Sequence, residues 1–394
     1  MKKLLAATAA SALLAGVAQA EDIKIGILYG FTGPIESLTK SMAAASEAAI
    51  DEVNASGLFL DGKTKVTAVR ADSTCIDAAA ATAAAEKLVT SDKVSGILGG
   101  DCSGVTGAVL ANVAVPNGIV MISPSATSPA LSTAEDHGLF FRTAPSDARE
   151  GEVAGEIMAE HGIKTAALTY SNSDYGKGLA EAIQKGFEAK GGKITISAAH
   201  EDGKADYSAE VAALAAAGGD ILVVAGYVDQ GGSGILRAAI DTGAFSKFEL
   251  PGGMISDTLT KNVPEGLNGS FGQVPGNDSP GLKKLGDMSG GKFDVTSPYT
   301  PESYDAAALM LLAMQAANST KSADYAPKIM DLANAPGEKI YPGELAKALQ
   351  LIKDGKDIDY VGASAVELIG PGESAGNYRE IEVKDNKIET VKYR

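Results

Sequence analysis

The chain has 394 residues, with 34 Lys and Arg against 50 Asp and Glu, which gives a formal charge of −16 at neutral pH. Hydrophobic residues make up 45% and charged residues 21%, a balance that predicts a folded globular protein and excludes wholesale disorder. Because so acidic a chain without a basic patch would repel phosphate backbones and anionic lipids, we expect neither nucleic acid nor a membrane surface as a partner.

The first twenty residues have the pattern of a secretory signal peptide. Two lysines precede an apolar run, and Ala18-Gln19-Ala20 supplies the small residues of a cleavage site. The apolar run, residues 4–17, is shorter than the ~20 residues that span a bilayer. We therefore expect residues 1–20 to be removed and the product to be exported in soluble form.

Short β-rich runs then alternate with helical stretches. The predicted strands are residues 23–28, 66–70, 94–98 and 119–122, and the predicted helices are a stretch that ends near residue 54, residues 78–89 and residues 105–113. Strands that alternate with helices in this way predict βαβ units and a parallel sheet.

A second series of the same kind begins near residue 146. Its predicted strands are 165–170, 194–198 and 221–225, and its predicted helices are 178–190, 208–217 and 234–242. The chain thus encodes two α/β layers, and the extended segments 140–147 and 269–275 are interpreted as hinge strands between them. The tail predicts a helix at 343–352 and a β-hairpin of 379–383 with 387–391.

Two cysteines, Cys75 and Cys102, are the only ones in the chain. In an exported protein an even pair favours one disulfide, although composition alone leaves two buried free thiols open. A bridge across this 27-residue separation stabilises the fold by about 3 kcal/mol in the chain-entropy model.

The sequence offers no constellation for catalysis, metal binding or cofactor binding. Residues 29–34 match neither the dinucleotide fingerprint nor the P-loop, and no serine lies in a Gly-x-Ser-x-Gly elbow. The three histidines lie on separate predicted elements: His137, His161 and His200. We therefore predict no enzyme, no cofactor and no metal. An exported hydrolase would require one of these histidines within hydrogen-bond reach of Ser103 or Ser125.

Hydroxyl side chains cluster where two neighbouring strands end. Ser103 begins the helix after one strand, and Ser125 and Thr127 follow the next. At the carboxyl edge of a parallel sheet, helix N-termini present free amides to an anion, so these loops predict a carboxylate site. The alternative, that these residues only cap helices, stays open. Tyr175 and Tyr227 lie at the corresponding edge of the second series.

Taken together, these residues resemble those of the periplasmic branched-chain amino-acid binding proteins, the solute receptors of ABC importers. The resemblance covers nearly all of the chain after the signal sequence. It rests on the following segments and residues: 21–26, Thr32-Gly33-Pro34, the Cys75/Cys102 pair, 122–129, Tyr175-Gly176-Lys177-Gly178 and Gly226-Tyr227.

The resemblance implies a type I periplasmic binding fold: α/β, with two Rossmann-like lobes of parallel sheet joined by three hinge crossings. It implies an N-terminal lobe of residues 21–145 plus 277–360 and a C-terminal lobe of 146–276 plus 361–394. Ser103, Ser125 and Thr127 would hold the carboxylate of a small ligand, and Tyr175 and Tyr227 would face them. The partner would be a membrane permease and the receptor a monomer in the periplasm.

One departure concerns the ligand's ammonium group. Amino-acid binders of the family place an acid after a proline at the position where this chain has Pro251 followed by Gly252. A buried ammonium without a carboxylate partner loses several kcal/mol of solvation. Glu302 and Asp257 are the candidate replacements, and Glu302 is preferred because the resemblance directs its helix at the cleft, with Tyr299 contacting the ligand. Glu302 is equally explained as a first-turn acid that stabilises the helix dipole.

The sequence therefore predicts a receptor that closes on a small carboxylate-bearing ligand, a branched-chain or other aliphatic amino acid. The alternative is a receptor or sensor for an amide, a urea-like compound or an aromatic acid that uses the same cleft.

Overall fold

Two seven-stranded sheets organise residues 22–394, the part of the chain that the computed structural model describes. The expected signal sequence lies outside the described residues. Each sheet is mostly parallel and carries helices on its faces, which confirms the expected two-lobed α/β class. Within the described residues no helix is both long enough and apolar enough to cross a bilayer.

The first lobe is built on a sheet with the strand order β13-β14-β5-β4-β3-β1-β2. Its strands are β1 (Ile23–Tyr29), β2 (Val66–Asp72), β3 (Ile97–Gly99), β4 (Met121–Ser123), β5 (Phe140–Pro145), β13 (Leu368–Ile369) and β14 (Glu373–Ser374). A small ribbon of β11 (Glu338–Ile340) and β12 (Ile358–Tyr360) completes the strands of this lobe. Its central strands are nearly continuous apolar runs because helices cover both faces.

The second lobe repeats this arrangement with the strand order β16-β15-β10-β9-β8-β6-β7. Its strands are β6 (Thr165–Ser171), β7 (Lys193–His200), β8 (Ile221–Ala225), β9 (Phe248–Leu250), β10 (Phe271–Pro275), β15 (Tyr378–Lys384) and β16 (Lys387–Tyr393). The last two form the hairpin expected from the sequence around Asp385-Asn386.

The helices occupy the connections between strands. They are α1 (Glu36–Ser56), α2 (Ala78–Lys87), α3 (Ser103–Val109), α4 (Val115–Asn117), α5 (Asp147–Glu160), α6 (Asp174–Ala189), α7 (Ser208–Ala217), α8 (Gly231–Asp241), α9 (Leu259–Asn262), α10 (Pro280–Ser289), α11 (Thr300–Ala317), α12 (Ser322–Tyr325), α13 (Ile329–Leu332) and α14 (Leu345–Lys353). Helix α6 begins four residues before the expected start because Ser173 caps it, its Oγ accepting from Gly176 N at 3.1 Å.

The chain passes between the sheets three times. The first passage joins β5 to α5 and the second follows β10, where the sequence predicted hinge strands. The third passage lies after Ser374, not after residue 360 as expected, because β14 pairs with β5 in the first sheet. The segment just before it is also fixed to the first lobe, since the amides of Ala363 and Ser364 donate to the carboxylate of Asp305 on α11.

Helix α11 lies inside the first lobe and is buried over nearly its whole length. Its apolar residues face neighbours on every side, so it has no polar stripe, as expected for a helix enclosed between α1 and the sheet. Tyr299 ends the preceding loop in a left-handed conformation, with φ of 61°, and its hydroxyl lies beside Gly252 of the second lobe.

The expected bridge between Cys75 and Cys102 is present. It ties the loop after β2 to the residue that precedes α3, so the disulfide supports the helix start at which the carboxylate site was predicted. The alternative of two free thiols is wrong.

Candidate functional site

The predicted hydroxyl loops lie side by side at the carboxyl ends of β3 and β4. Ser103, Ser125 and Thr127 are all buried, and Ser103 Oγ accepts a hydrogen bond from Ser128 N at 3.1 Å, which joins the two loops directly. Adjacent parallel strands end at the same sheet edge, so residues 22 apart in sequence become neighbours here.

The three hydroxyl groups are not equivalent. Ser125 Oγ donates to the carbonyl of Asp101 at 2.9 Å, so its hydrogen is committed within the protein and it holds the loop in place. Ser103 Oγ accepts from Ser128 N and keeps its own hydrogen. Thr127 Oγ1 is buried and makes no hydrogen bond of ordinary length, although it faces the carboxyl group of Asp147 and lowers the pKa of that group. Ser103 and Thr127 are therefore the hydroxyl groups that retain donors for a ligand.

Helix α3 adds amide donors at the same place. Its first intrahelical bond runs from Thr106 N to Cys102 O, so the amides of residues 103–105 have no partner within the helix. Together with the positive end of the helix dipole, these amides form an environment that favours an anion beside Ser103.

Arg142 fixes the geometry of the second loop. It is buried, and its guanidinium donates to the carbonyls of Ala126 and Ser128, both at 2.9 Å, on either side of Thr127. Its charge is balanced by Glu373 of β14, 2.5 Å away. Because the Arg142 guanidinium is fixed by Glu373 and donates to the carbonyls on both sides of Thr127, the backbone at Thr127 is held in one conformation.

Four buried tyrosines, contributed by both lobes, form a second group of candidate residues. Tyr175 and Tyr227 stack with their centroids 5.1 Å apart, and Tyr299 and Tyr378 complete the set. Burial raises the pKa of Tyr175, Tyr299 and Tyr378, and the nearby carboxyl groups of Asp147 and Glu150 raise each pKa further. The rings and the two carboxyl groups therefore share one region of the structure.

Asp147 and Glu150 are candidate site residues that the sequence analysis did not single out. They stand in the first turn of α5, directly after the first passage between the lobes, and both are completely buried. In the sequence they resemble ordinary first-turn acids, favoured there by the helix dipole, and only their burial distinguishes them. Burial raises the pKa of Glu150 to about 7, and burial together with the neighbouring Glu150 raises that of Asp147.

The two candidate replacements for the missing acid lie in different surroundings. Glu302 is buried in the first turn of α11, close enough to Tyr299 to raise the pKa of that residue, and burial raises the pKa of Glu302 itself to about 8. Asp257 is exposed. Of the two, only Glu302 is enclosed with the tyrosines.

The histidines lie apart from the hydroxyl loops. His200 Nδ1 bonds Thr169 Oγ1 at 2.9 Å, His161 stacks on Phe271, and His137 is at a turn near Asp136. Within residues 22–394 no histidine is hydrogen-bonded to Ser103 or Ser125, the contact that a hydrolase would require. The same residues contain no group of side chains placed to hold a metal ion.

The two lobes touch through an interlobe bridge, formed by Pro34 and Ser37 of the first lobe and Asp229, Ser256 and Thr258 of the second. Asp229 Oδ2 accepts from Ser37 N at 2.9 Å, and Asp229 N donates to Pro34 O at 3.2 Å. Thr258 Oγ1 donates to Asp229 Oδ1 at 3.2 Å and lies 3.3 Å from Ser37 Oγ. Helix α1 has no side-chain cap of its own, so Asp229 caps it from the opposite lobe.

Comparison with known proteins identifies the family. The sequence matches the periplasmic binding protein family over residues 22–336. It is 30% identical over 285 residues to the Leu/Ile/Val-binding protein of Escherichia coli K12, covering 70% of this chain and 75% of that protein.

Solved structures agree with the fold. A leucine-binding protein from Thermotoga maritima superposes with a TM-score of 0.79 at 19% identity, covering 94% of this chain and 98% of that one. A solute-binding protein of an ABC transporter from Rhodopseudomonas palustris, in complex with p-hydroxybenzoic acid, superposes with a TM-score of 0.75 at 18% identity, covering 95% and 97%.

Proposed function

The chain belongs to the periplasmic binding protein family, and on that premise we propose that it is the periplasmic receptor of an ABC importer that closes on a small carboxylate-bearing ligand, a branched-chain or other aliphatic amino acid. It hands this ligand to a membrane permease and catalyses no reaction. The observation that carries the ligand proposal is the buried Thr127 hydroxyl, which has no partner and lies next to the free amides of α3.

The carboxylate would be held from the first lobe. Ser103 and Thr127 donate their hydroxyl hydrogens, and the amides of residues 103–105 add backbone donors. Hydrogen bonds to a charged group are worth about 1.5–3 kcal/mol each, so a few of them suffice for tight binding once the lobes exclude water. Ser125 supports the loop from behind through its bond to Asp101 O.

Closure would couple the two lobes to the ligand. Tyr175 and Tyr227 of the second lobe cover the ligand from the opposite side, while the interlobe bridge forms at the mouth of the cleft. A ligand that contacts both lobes binds the closed form better than the open one and therefore shifts the equilibrium toward it.

The second candidate is a receptor for an aromatic acid, an amide or a urea-like compound. The four buried tyrosines favour an aromatic acid, because flat rings pack well against them. The relative from Rhodopseudomonas palustris holds p-hydroxybenzoic acid. Such a ligand would leave the carboxyl groups of Asp147 and Glu150 without a cation.

A thermal-shift screen of the purified chain tests the proposal. Aliphatic amino acids, their amides and aromatic acids are added at the same concentration, and a ligand present at 100 times its Kd adds about 2.7 kcal/mol to the free energy of unfolding. We expect the largest shift from an aliphatic amino acid. Stabilisation by aromatic acids or amides alone would refute the first candidate and support the second.

A further inference from the structure

Asp147 and Glu150 leave three carboxylate oxygens without partners inside the protein. Glu150 Oε1 accepts from Gly252 N at 2.9 Å and from Gln273 Nε2 at 3.1 Å. Glu150 Oε2 and both oxygens of Asp147 are buried and accept no hydrogen bond of ordinary length within residues 22–394, while the Thr127 hydroxyl faces Asp147 and lowers the pKa of that carboxyl group. Each buried acceptor without a partner costs free energy, so a cluster of three is expected only where something else supplies the donors.

Residue 252 shows how this cluster reaches the cleft. A Cβ atom on Gly252 would lie 2.8 Å from Tyr299 Oη, so the glycine leaves room for that hydroxyl, and it would lie in ordinary contact with Glu150 Oε1 at 3.7 Å. Glu150 therefore brings its carboxylate from α5 to a loop 102 residues away, to the position where an acidic side chain at residue 252 would begin. The sequence departure at Gly252 is matched by an acid from another element.

Independent polar groups point to the same space. The Thr127 hydroxyl and the Tyr378 hydroxyl are both completely buried or nearly so, and neither has a hydrogen-bond partner. Thr127 is joined to α5 because its carbonyl accepts from Asp147 N at 2.8 Å, and Asp147 raises the pKa of Tyr378. The two hydroxyl groups therefore lie in the same region as the carboxyl groups of Asp147 and Glu150.

Within residues 22–394 no lysine or arginine forms an ion pair with Asp147 or Glu150, and the one cation whose charge lowers the pKa of Asp147 is Arg142. Arg142 is paired with Glu373, and Arg149, next to the pair on α5, bonds the exposed Glu152. The lysines on the elements packed around the pair, Lys177 and Lys185 of α6 and Lys384 of β15, are exposed. The buried or half-buried titratable groups on these elements include the following: Glu249 on β9, Tyr175 on α6, Tyr227 after β8, Tyr299 and Glu302 at α11, and Tyr378 and Arg379 on β15.

We propose that Asp147 and Glu150 bind a cationic N–H group of the ligand, an ammonium, and that Glu150 determines the preference for ligands that carry one. This inference rests on the function proposed above and specifies which groups complete the site. An ammonium supplies N–H donors for the three free oxygens and the positive charge that the pair lacks. A quaternary ammonium or an aromatic acid supplies no such donors.

Binding should also release a proton. Two adjacent buried carboxyl groups do not both ionise without a cation nearby, so the ligand-free pair retains a proton near neutral pH. When the ammonium enters, its charge favours the fully ionised pair and the proton passes to solvent. Because burial raises the pKa of Glu150 to about 7, affinity should rise with pH through that region.

Calorimetric titration with matched probes tests this. L-leucine and L-alanine are compared with 4-methylpentanoate and propionate, which have the same carbon skeletons without the amine, in phosphate and in Tris at pH 7. The wild type should bind an amino acid with a heat that depends on the buffer, which reports the released proton, and should bind the deaminated acids far more weakly. Glu150→Gln should lower amino-acid affinity about 10-fold to 100-fold and abolish the proton release.

Two further variants make the result specific. Glu152→Gln changes an exposed acid of the same helix and should bind as the wild type does. Glu302→Gln should retain the proton release, and if it alone loses the amino acid, the assignment to Glu150 is overturned. Equal binding of leucine and 4-methylpentanoate by the wild type overturns the inference as well.

The outcomes also separate this inference from the proposed function. If the wild type binds amino acids but Glu150→Gln binds them equally, with unchanged buffer dependence, the receptor proposal stands and the inference fails. If the wild type binds none of the four probes, the proposed ligand class itself fails. Should Glu150→Gln not fold, the buffer dependence of the wild type decides the inference, since a heat that is the same in both buffers refutes it.

Discussion

The interlobe bridge allows a residue distant from the ligand to control affinity. In the structure Asp229 Oδ2 accepts from Ser37 N at 2.9 Å and Oδ1 accepts from Thr258 Oγ1 at 3.2 Å. The first of these bonds joins the lobes and caps α1, which has no cap of its own. If the lobes separate, Ser37 N returns to water, so the bond stabilises only the closed form.

Replacing Asp229 with alanine should therefore weaken ligand binding without touching the ligand. Loss of a helix cap costs about 1 kcal/mol. Because Asp229 is only half-buried, we expect its replacement to destabilise the closed form by about this amount and not by the larger free energy that a buried charge would contribute. A destabilisation of about 1 kcal/mol of the closed form corresponds to a roughly fivefold higher Kd. Most of this change should appear as faster dissociation.

Titration calorimetry measures the Kd, and stopped-flow fluorescence of the tyrosines measures the dissociation rate. Asp241→Ala is the control, because Asp241 is an exposed acid at the end of α8 in the same lobe. The unfolding free energy of the ligand-free protein should stay the same in Asp229→Ala. Unchanged affinity in Asp229→Ala would refute the reasoning. An equal drop in the stability of the ligand-free protein would show that Asp229 supports the fold rather than the closed state.

Three other changes have defined outcomes. Thr127→Val keeps the shape of the side chain but removes its hydroxyl, and it should weaken binding of a carboxylate ligand by about 1.5–3 kcal/mol in calorimetry. The control Thr133→Val, at an exposed position, should bind as the wild type does. Equal affinities of Thr127→Val and the wild type would remove Thr127 from the site. The double variant Cys75→Ala, Cys102→Ala should have a free energy of unfolding in urea about 3 kcal/mol lower than that of the wild type, and reduction of the wild type should have the same effect. An unchanged free energy of unfolding would contradict the chain-entropy model. Burial raises the pKa of Glu249 from 4.5 to about 8, so between these values the folded protein holds a proton that the unfolded chain has lost, and the free energy of unfolding falls as pH rises. Glu249→Gln should flatten this decline between pH 5 and pH 9. The control Glu265→Gln, at an exposed position, should leave the decline as it is.

The two-lobed fold and the hydroxyl loops could be predicted because their signals are local. Each strand is a short apolar run, each helix follows it directly, and the carboxyl ends of neighbouring parallel strands always meet at one edge. Ser103 and Thr127 could therefore be placed together without coordinates. The third passage between the lobes was misplaced because two-residue strands such as β14 carry too short a pattern to reveal which sheet they join.

The sequence by itself thus determined the α/β class, favoured the disulfide and placed the two hydroxyl loops at one sheet edge, since these depend on periodicity, composition and strand order. Only the tertiary structure decided which hydroxyl groups retain their hydrogens and which acids are enclosed with the tyrosines. Those properties depend on contacts between residues about 100 positions apart, such as Glu150 with Gly252, and a first-turn acid has the same local pattern whether it faces water or a closed cleft.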